Sequence, residues 1–142
     1  MGRILAIDYG LRRTGLAVSD PLRIIAGALD TVPTHELMDY LKKYVQGNGV
    51  DTIVVGMPRQ MSGEMSESWA QIEPFIGKLK KEFSGIKIDT ADERFTSRLA
   101  FRAMLDGGVK KEKRRDKGLV DRISATIILQ GYMETLNAAA EK

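Results

Sequence analysis

Three acids stand where ordered elements are expected to begin or end: Asp8, Glu93 and Asp121. Asp8 closes the apolar run Ile4-Leu5-Ala6-Ile7 and precedes Tyr9-Gly10. A carboxylate there is fixed by a buried strand yet open at the sheet's end. Such a placement suits an oxygen ligand for Mg²⁺, which takes a few carboxylates together with waters and substrate phosphate. The same aspartate could simply begin a turn, as Asp does before Gly. Glu93 follows an expected edge strand in Asp92-Glu93-Arg94-Phe95-Thr96. It reads equally as an acid favouring a helix N-terminus, or as a partner of Arg94. Asp121 falls in the first turn of the expected last helix, where acids are common for the same electrostatic reason. Each residue alone reads as structural. The metal-binding reading rests on the three together, with Asp92 and Asp116 as substitutes.

Positive charge accompanies these acids. Lys110, Lys111, Lys113, Arg114, Arg115 and Lys117 lie close together against only Glu112 and Asp116, between Gly108 and Gly118. Such a segment is a solvated loop by composition. Beside a carboxylate cluster it would also offset repulsion between the site and a phosphate backbone. Arg12 and Arg13, just past Asp8, could do so at closer range, and Arg59 is a weaker candidate. Arg94 is read as holding its neighbouring carboxylates in place. Aromatic residues make up only 6% of the chain, so base stacking by Tyr9 or Phe95 is not built upon, and Trp69 reads as core.

The elements that must position these groups follow from periodicity. Ile4–Ile7 and Thr52–Val55 are continuous apolar runs, expected as strands buried on both faces. Thr14–Ser19 and Ile24–Val32 add two strands, and the first three strands form an antiparallel meander. Ile86–Ala91 alternates apolar and polar in its first half, as an edge strand does. Thr34 is expected to cap a helix carrying Leu37, Leu41, Tyr44 and Val45, which Gly47 to Gly49 ends. Trp69, Ile72, Ile76, Leu79 and Phe83 recur at helical spacing, with Pro74 implying a kink or a late start. A short helix from Thr96 or Ser97 carries Leu99, Ala103 and Met104. The last helix is expected from about Leu119 to Leu136. The result is an α/β fold with a five-stranded mixed sheet and helices on both faces. Residues 1–137 form one domain, and residues 138–142 are expected to be a frayed tail.

Bulk properties narrow the function. The chain has 142 residues, 43% apolar and 29% charged, with a net charge of +3, an ordinary globular composition that permits a polyanionic partner. With no cysteine, disulfides, thiolate zinc sites and cysteine nucleophiles are excluded. No apolar stretch reaches the length of a membrane span, and the expected location is the cytoplasm. The lone His35 stands apart from the acids, so triad hydrolysis is unsupported.

Four blocks carry a resemblance. Ile7-Asp8-Tyr9-Gly10-Leu11-Arg12-Arg13-Thr14-Gly15-Leu16-Ala17-Val18-Ser19-Asp20 resembles the opening signature of the YqgF-type, RuvX-like proteins, a RuvC-related branch of the RNase H-like superfamily. Ile53-Val54-Val55-Gly56-Met57-Pro58 is similar to that family's second block. Asp92-Glu93-Arg94-Phe95-Thr96-Ser97 is similar to the third, and Val120-Asp121-Arg122-Ile123-Ser124-Ala125 to the fourth. The order and spacing agree from Arg3 to Leu136. Arg12 stands where the family commonly has Lys, Thr14 where it has Ile, and Phe95 and Ser97 where it has Leu and Thr. None of these departures removes an acid. Many RNase H-like nucleases also carry an acid at the end of the strand that here closes on Gly56-Met57-Pro58.

The resemblance implies an RNase H-like fold and a metal-dependent nuclease. Asp8, Glu93 and Asp121 would hold Mg²⁺ or Mn²⁺, two ions with substrate bound, and Asp8 would bridge them. The implied substrates are the 5′ end of precursor 16S ribosomal RNA, within pre-ribosomal particles, or the branched DNA of a Holliday junction. RNA is preferred: a resolvase cuts two strands symmetrically as a dimer, and no dimer interface is evident, so a monomer or weak homodimer is expected. A non-catalytic nucleic-acid-binding factor is the other reading, although such a binder gains nothing from carboxylates facing phosphate. Asp-x-Gly with a later glycine also resembles the phosphate loop of actin-like ATPases, but the second lobe those proteins need is missing.

Overall fold

The computed structural model describes residues 2–57, 69–92 and 117–141. The short helix expected after Thr96 and the basic loop of residues 110–115 lie outside the described residues. Five strands form one mixed sheet: β1 (Arg3–Asp8), β2 (Arg13–Ser19), β3 (Ala26–Pro33), β4 (Val50–Met57) and β5 (Lys87–Asp92). Their spatial order is β3-β2-β1-β4-β5. The meander β1-β2-β3 is antiparallel, and β4 and β5 run parallel to β1. The carboxyl ends of β1, β4 and β5 therefore share one rim of the sheet.

Strand alternation divides the core in two. Leu5, Ile7, Leu16, Ile53 and Val55 pack under α1 (Leu37–Asn48) and α2 (Trp69–Glu82), against Leu41, Ile72 and Leu79. Ile4, Ala6, Ala17 and Val54 face the other way, under α3 (Lys117–Glu141), against Ala125, Ile128 and Leu129. Small residues dominate the strand side of that second layer, so α3 lies close on the sheet.

Two local expectations are corrected. Strand β3 begins at Ala26 rather than Ile24, because the Asp20 carboxylate takes the backbone N–H groups of Leu22, Ile24 and Ile25 at 3.2, 2.7 and 2.8 Å. Those amides are lost to the ladder, and Ile24 and Ile25 are exposed. Arg23 completes this loop in a left-handed conformation, φ 58°, and its guanidinium pairs with Asp51. Thr34 is not a helix cap: it opens a single 3₁₀ turn, Thr34–Glu36, ahead of α1, and its hydroxyl is used elsewhere. Pro74 lies inside α2, where its missing N–H deprives only the Ala70 carbonyl, in the first described turn. Helix α1 ends as expected, on Gly49 at φ 64°.

The amide bonds to Asp20, that from Ile25 foremost, hold its carboxyl below the ordinary value. The folded value is thus lower than the unfolded one, so the loop's contribution is complete above the unfolded value, near pH 4, and disappears as pH falls through the folded value. Asp20→Ala is expected to be less stable than the parent at neutral pH. The difference should shrink in denaturant titrations carried down through pH 4 to pH 2.

Candidate functional site

Asp8 is the last residue of β1 and pairs across the ladder with Gly15 of β2; Gly15 pairs in turn with Thr31 of β3. By alternation from Ala6 and Ala17, Asp8 and Gly15 belong to the sheet face that α3 covers. Helix α3 crosses this row with its first turns. The Thr31 hydroxyl donates to the Gly118 carbonyl at 2.6 Å, and Arg122 reaches the same hydroxyl at 3.4 Å. Between these ties, the Asp121 backbone rests directly on Gly15. A Cβ built there would meet the Asp121 carbonyl oxygen at 2.1 Å and its Cβ at 2.9 Å. Asp121 is thereby brought over the strand residue that is Asp8's immediate neighbour.

Helix α3 starts at Lys117, earlier than the sequence pattern suggested, so Asp121 stands beyond the first turn rather than within it. The simple explanation of an acid favouring the helix terminus loses its force, because that effect fades within the first turn. What the Asp121 carboxylate meets is Arg13. The Arg13 Nε lies 2.5 Å from Asp121 Oδ2, with the arginine side chain 40% exposed and the acid 19%. Arg13 shares Gly15's face of β2 by alternation, which carries its guanidinium toward α3. Expected as a phosphate contact, it is here the counter-ion of a candidate ligand. Arg12 is exposed in the loop after Asp8.

That loop is tightly tied. The Thr34 hydroxyl donates to the Gly10 carbonyl at 2.6 Å and lies 2.9 Å from the Thr14 hydroxyl, while the Thr34 N–H donates to the Arg12 carbonyl at 2.9 Å. At Gly10 an added Cβ would sit 2.3 Å from the Arg13 carbonyl oxygen, so only glycine fits the turn. Asp92 is exposed at the end of β5, on the same rim as Asp8. Glu93, Lys110, Lys111, Lys113, Arg114 and Arg115 lie outside the described residues, as do Asp116, Arg59 and Arg94. Among the described residues no group of three acids or histidines assembles. Asp8 and Asp121 are the pair brought together. Sequence reasoning missed the part played by Gly15, although a glycine within a strand signals a close backbone approach.

Residues 2–135 match the family model described as RuvX: Holliday junction resolvase. The chain belongs to the RuvX family. A relative from Bacteroides fragilis is 56% identical over 135 residues, covering 95% of this chain and 98% of its own length. One from Porphyromonas gingivalis is 58% identical over 134 residues, covering 94% and 97%. One from Flavobacterium johnsoniae is 49% identical over 135 residues, covering 95% and 98%. Each carries the name "Putative pre-16S rRNA nuclease". The RuvX description and these names both designate nucleases, and the five-stranded mixed sheet covered on both faces is the RNase H-like architecture expected of the family. Among the described residues no helix is long and apolar enough to cross a membrane.

The contact at Gly15 generates a test with opposite signs. Gly15→Ala drives a methyl into backbone and is expected to cost about 1–3 kcal/mol, as overpacking does. Gly47→Ala, in the last turn of α1 where a Cβ meets nothing within 4 Å, is expected to gain about 0.5–1 kcal/mol from helix propensity. Urea unfolding midpoints of the two variants, read against the parent, check both values.

Proposed function

We propose that this RuvX protein is a metal-dependent nuclease that trims the 5′ end of precursor 16S rRNA, with Asp8, Glu93 and Asp121 holding the metal. One observation carries the reading: the backbone of Asp121 rests on Gly15, the ladder partner of Asp8, where no other residue type fits without moving the helix. The names of the relatives supply the substrate, and the sequence block around Glu93 supplies the third acid.

The donor chemistry fits the ion. Two carboxylates on rigid elements offer hard oxygen ligands of the kind Mg²⁺ and Mn²⁺ accept, with room left for water and phosphate. Asp121 already carries a cationic partner in Arg13, which a bound divalent ion would have to displace. A divalent ion bound there supplies Lewis-acid activation of water and neutralises charge on the scissile phosphate, two ions serving once substrate is present. Asp8, held by β1, fixes one side of the site. Asp121, held by α3 over Gly15, fixes the other. Arg13, if displaced from Asp121 by a bound ion, would be placed to turn its part-exposed guanidinium to the phosphate. Arg12 and the basic residues Lys110, Lys111, Lys113, Arg114 and Arg115 add attraction for the backbone. The proposed setting is the cytoplasm, on pre-ribosomal particles, as a monomer or weak homodimer. The family description favours a second reading, resolution of four-way DNA junctions.

Asp8→Asn is expected to abolish Mg²⁺- or Mn²⁺-dependent cleavage while binding of the nucleic acid is kept, read by gel assay and anisotropy on one preparation. A non-catalytic binder would show no metal-dependent cutting to lose. Parallel digestion of structured precursor RNA and a four-way DNA junction at identical salt should favour the RNA. Preference for the junction would transfer the assignment to resolvase.

A further inference from the structure

Two cavities flank the carboxyl rim of the sheet, and their charge differs. One, between β5 and α3, is lined by Asp89 and Asp92 as well as by Tyr132 and Ile128, and two carboxylates make it the less suited of the two to a phosphate. The other lies on the opposite face, between the 3₁₀ turn, α1 and α2. It has a volume of about 260 Å³, and its lining includes Tyr9, His35, Gln71, Phe75 and Lys78, with no acid among the described residues that line it. Tyr9 directly follows Asp8. Its ring packs on Phe75 with centroids 4.9 Å apart. The bonds from Thr34 to Gly10 and Arg12 tie the loop that carries it.

We propose that this second cavity takes one unpaired nucleotide of the substrate, its base against Tyr9 and Phe75 and its phosphate toward Lys78 and His35. The proposal rests on the nuclease reading and names a subsite for it. The volume suits a fragment the size of one base, being below that of ordinary drug-sized pockets. An aromatic wall accepts any base through its π-face. The exposed Gln71 amide offers both a donor and an acceptor to a base edge. Lys78 supplies the positive charge a phosphate requires. A strand crossing the rim from Asp8 toward α1 and α2 thus meets a receptive site, whereas one directed toward β5 meets carboxylates.

The test uses the full chain bearing Asp8→Asn, without divalent metal, and a short single-stranded RNA as probe. Amide resonances of His35, Gln71 and Lys78 are expected to shift on titration. Met38→Trp, which fills the cavity from its wall, should weaken binding about fivefold or more, the lower end of what one base–aromatic stack contributes. Lys78→Glu should weaken it well beyond Lys80→Glu, a charge reversal on the same helix outside the cavity lining. Unmoved resonances at the cavity overturn the proposal. So does equal loss in the Lys78 and Lys80 variants. Should Met38→Trp fail to fold, the lysine pair and the resonances still decide. Cleavage by the parent alongside such results leaves the nuclease assignment intact. Binding at the cavity with no cleavage by the parent overturns that assignment and supports the subsite alone.

Discussion

How closely α3 can lie against β2 governs the rim of this sheet. Gly15 has no side chain, so the backbone of Asp121 descends to the strand itself, and the bond from Thr31 to Gly118 holds the preceding turn at that depth. Further along, Ala6 and Ala17 on the strands and Ala125 on the helix keep the approach close before Ile128, Leu129 and Met133 fill the widening layer. The helix is seated by packing along its length and by backbone contact near its start. A carboxylate carried on that first part inherits the precision of the seat, which is what a metal ligand needs from its scaffold.

The two ends of the chain meet through register. Asp8 and Gly15 are ladder partners because the tight Asp8-to-Arg13 loop, closed by Gly10 and tied by Thr34, fixes which residues of β1 and β2 face each other. A slip of one residue would turn Asp8 to the face of α1 and α2, away from Asp121. Thr34 therefore acts at a distance: its hydroxyl and N–H hold a loop twenty residues and more upstream, and that loop sets the register on which the pair depends.

Much of this was legible in the sequence. The apolar runs at Ile4–Ile7 and Thr52–Val55 announce central strands, alternation after Ile86 announces an edge strand, and helical spacing of Leu37 and Leu41 or of Ile72, Ile76 and Leu79 announces the covering helices. These are local patterns with one physical meaning each. The errors fall where a polar side chain takes a backbone group that propensity assigns to regular structure. Asp20 takes the amides of Ile24 and Ile25, and the strand starts late. Thr34 bonds to Gly10 instead of its own helix, and the cap is lost. For the site, placement at the ends of expected elements marked Asp8, Glu93 and Asp121 alike, and the family blocks drew the three together. That Asp8 and Asp121 meet over Gly15, with Arg13 between charge and solvent, depends on contacts between residues more than a hundred positions apart, which no local pattern encodes.

A nuclease whose metal is held by carboxylates, as proposed for Asp8, Glu93 and Asp121, faces an electrostatic conflict, since those groups repel the backbone it must cut. Arg13 resolves part of it in place. Its guanidinium neutralises Asp121 while remaining exposed enough to exchange that partner for a phosphate oxygen. The rest is resolved by geography. Acids lie on the α3 side of the rim and along β5, whereas the described lining of the cavity between the 3₁₀ turn and α2 includes Lys78 and His35 and no acid. The sheet separates the two environments, yet both open at the same edge, where Asp8 and Tyr9 are consecutive residues.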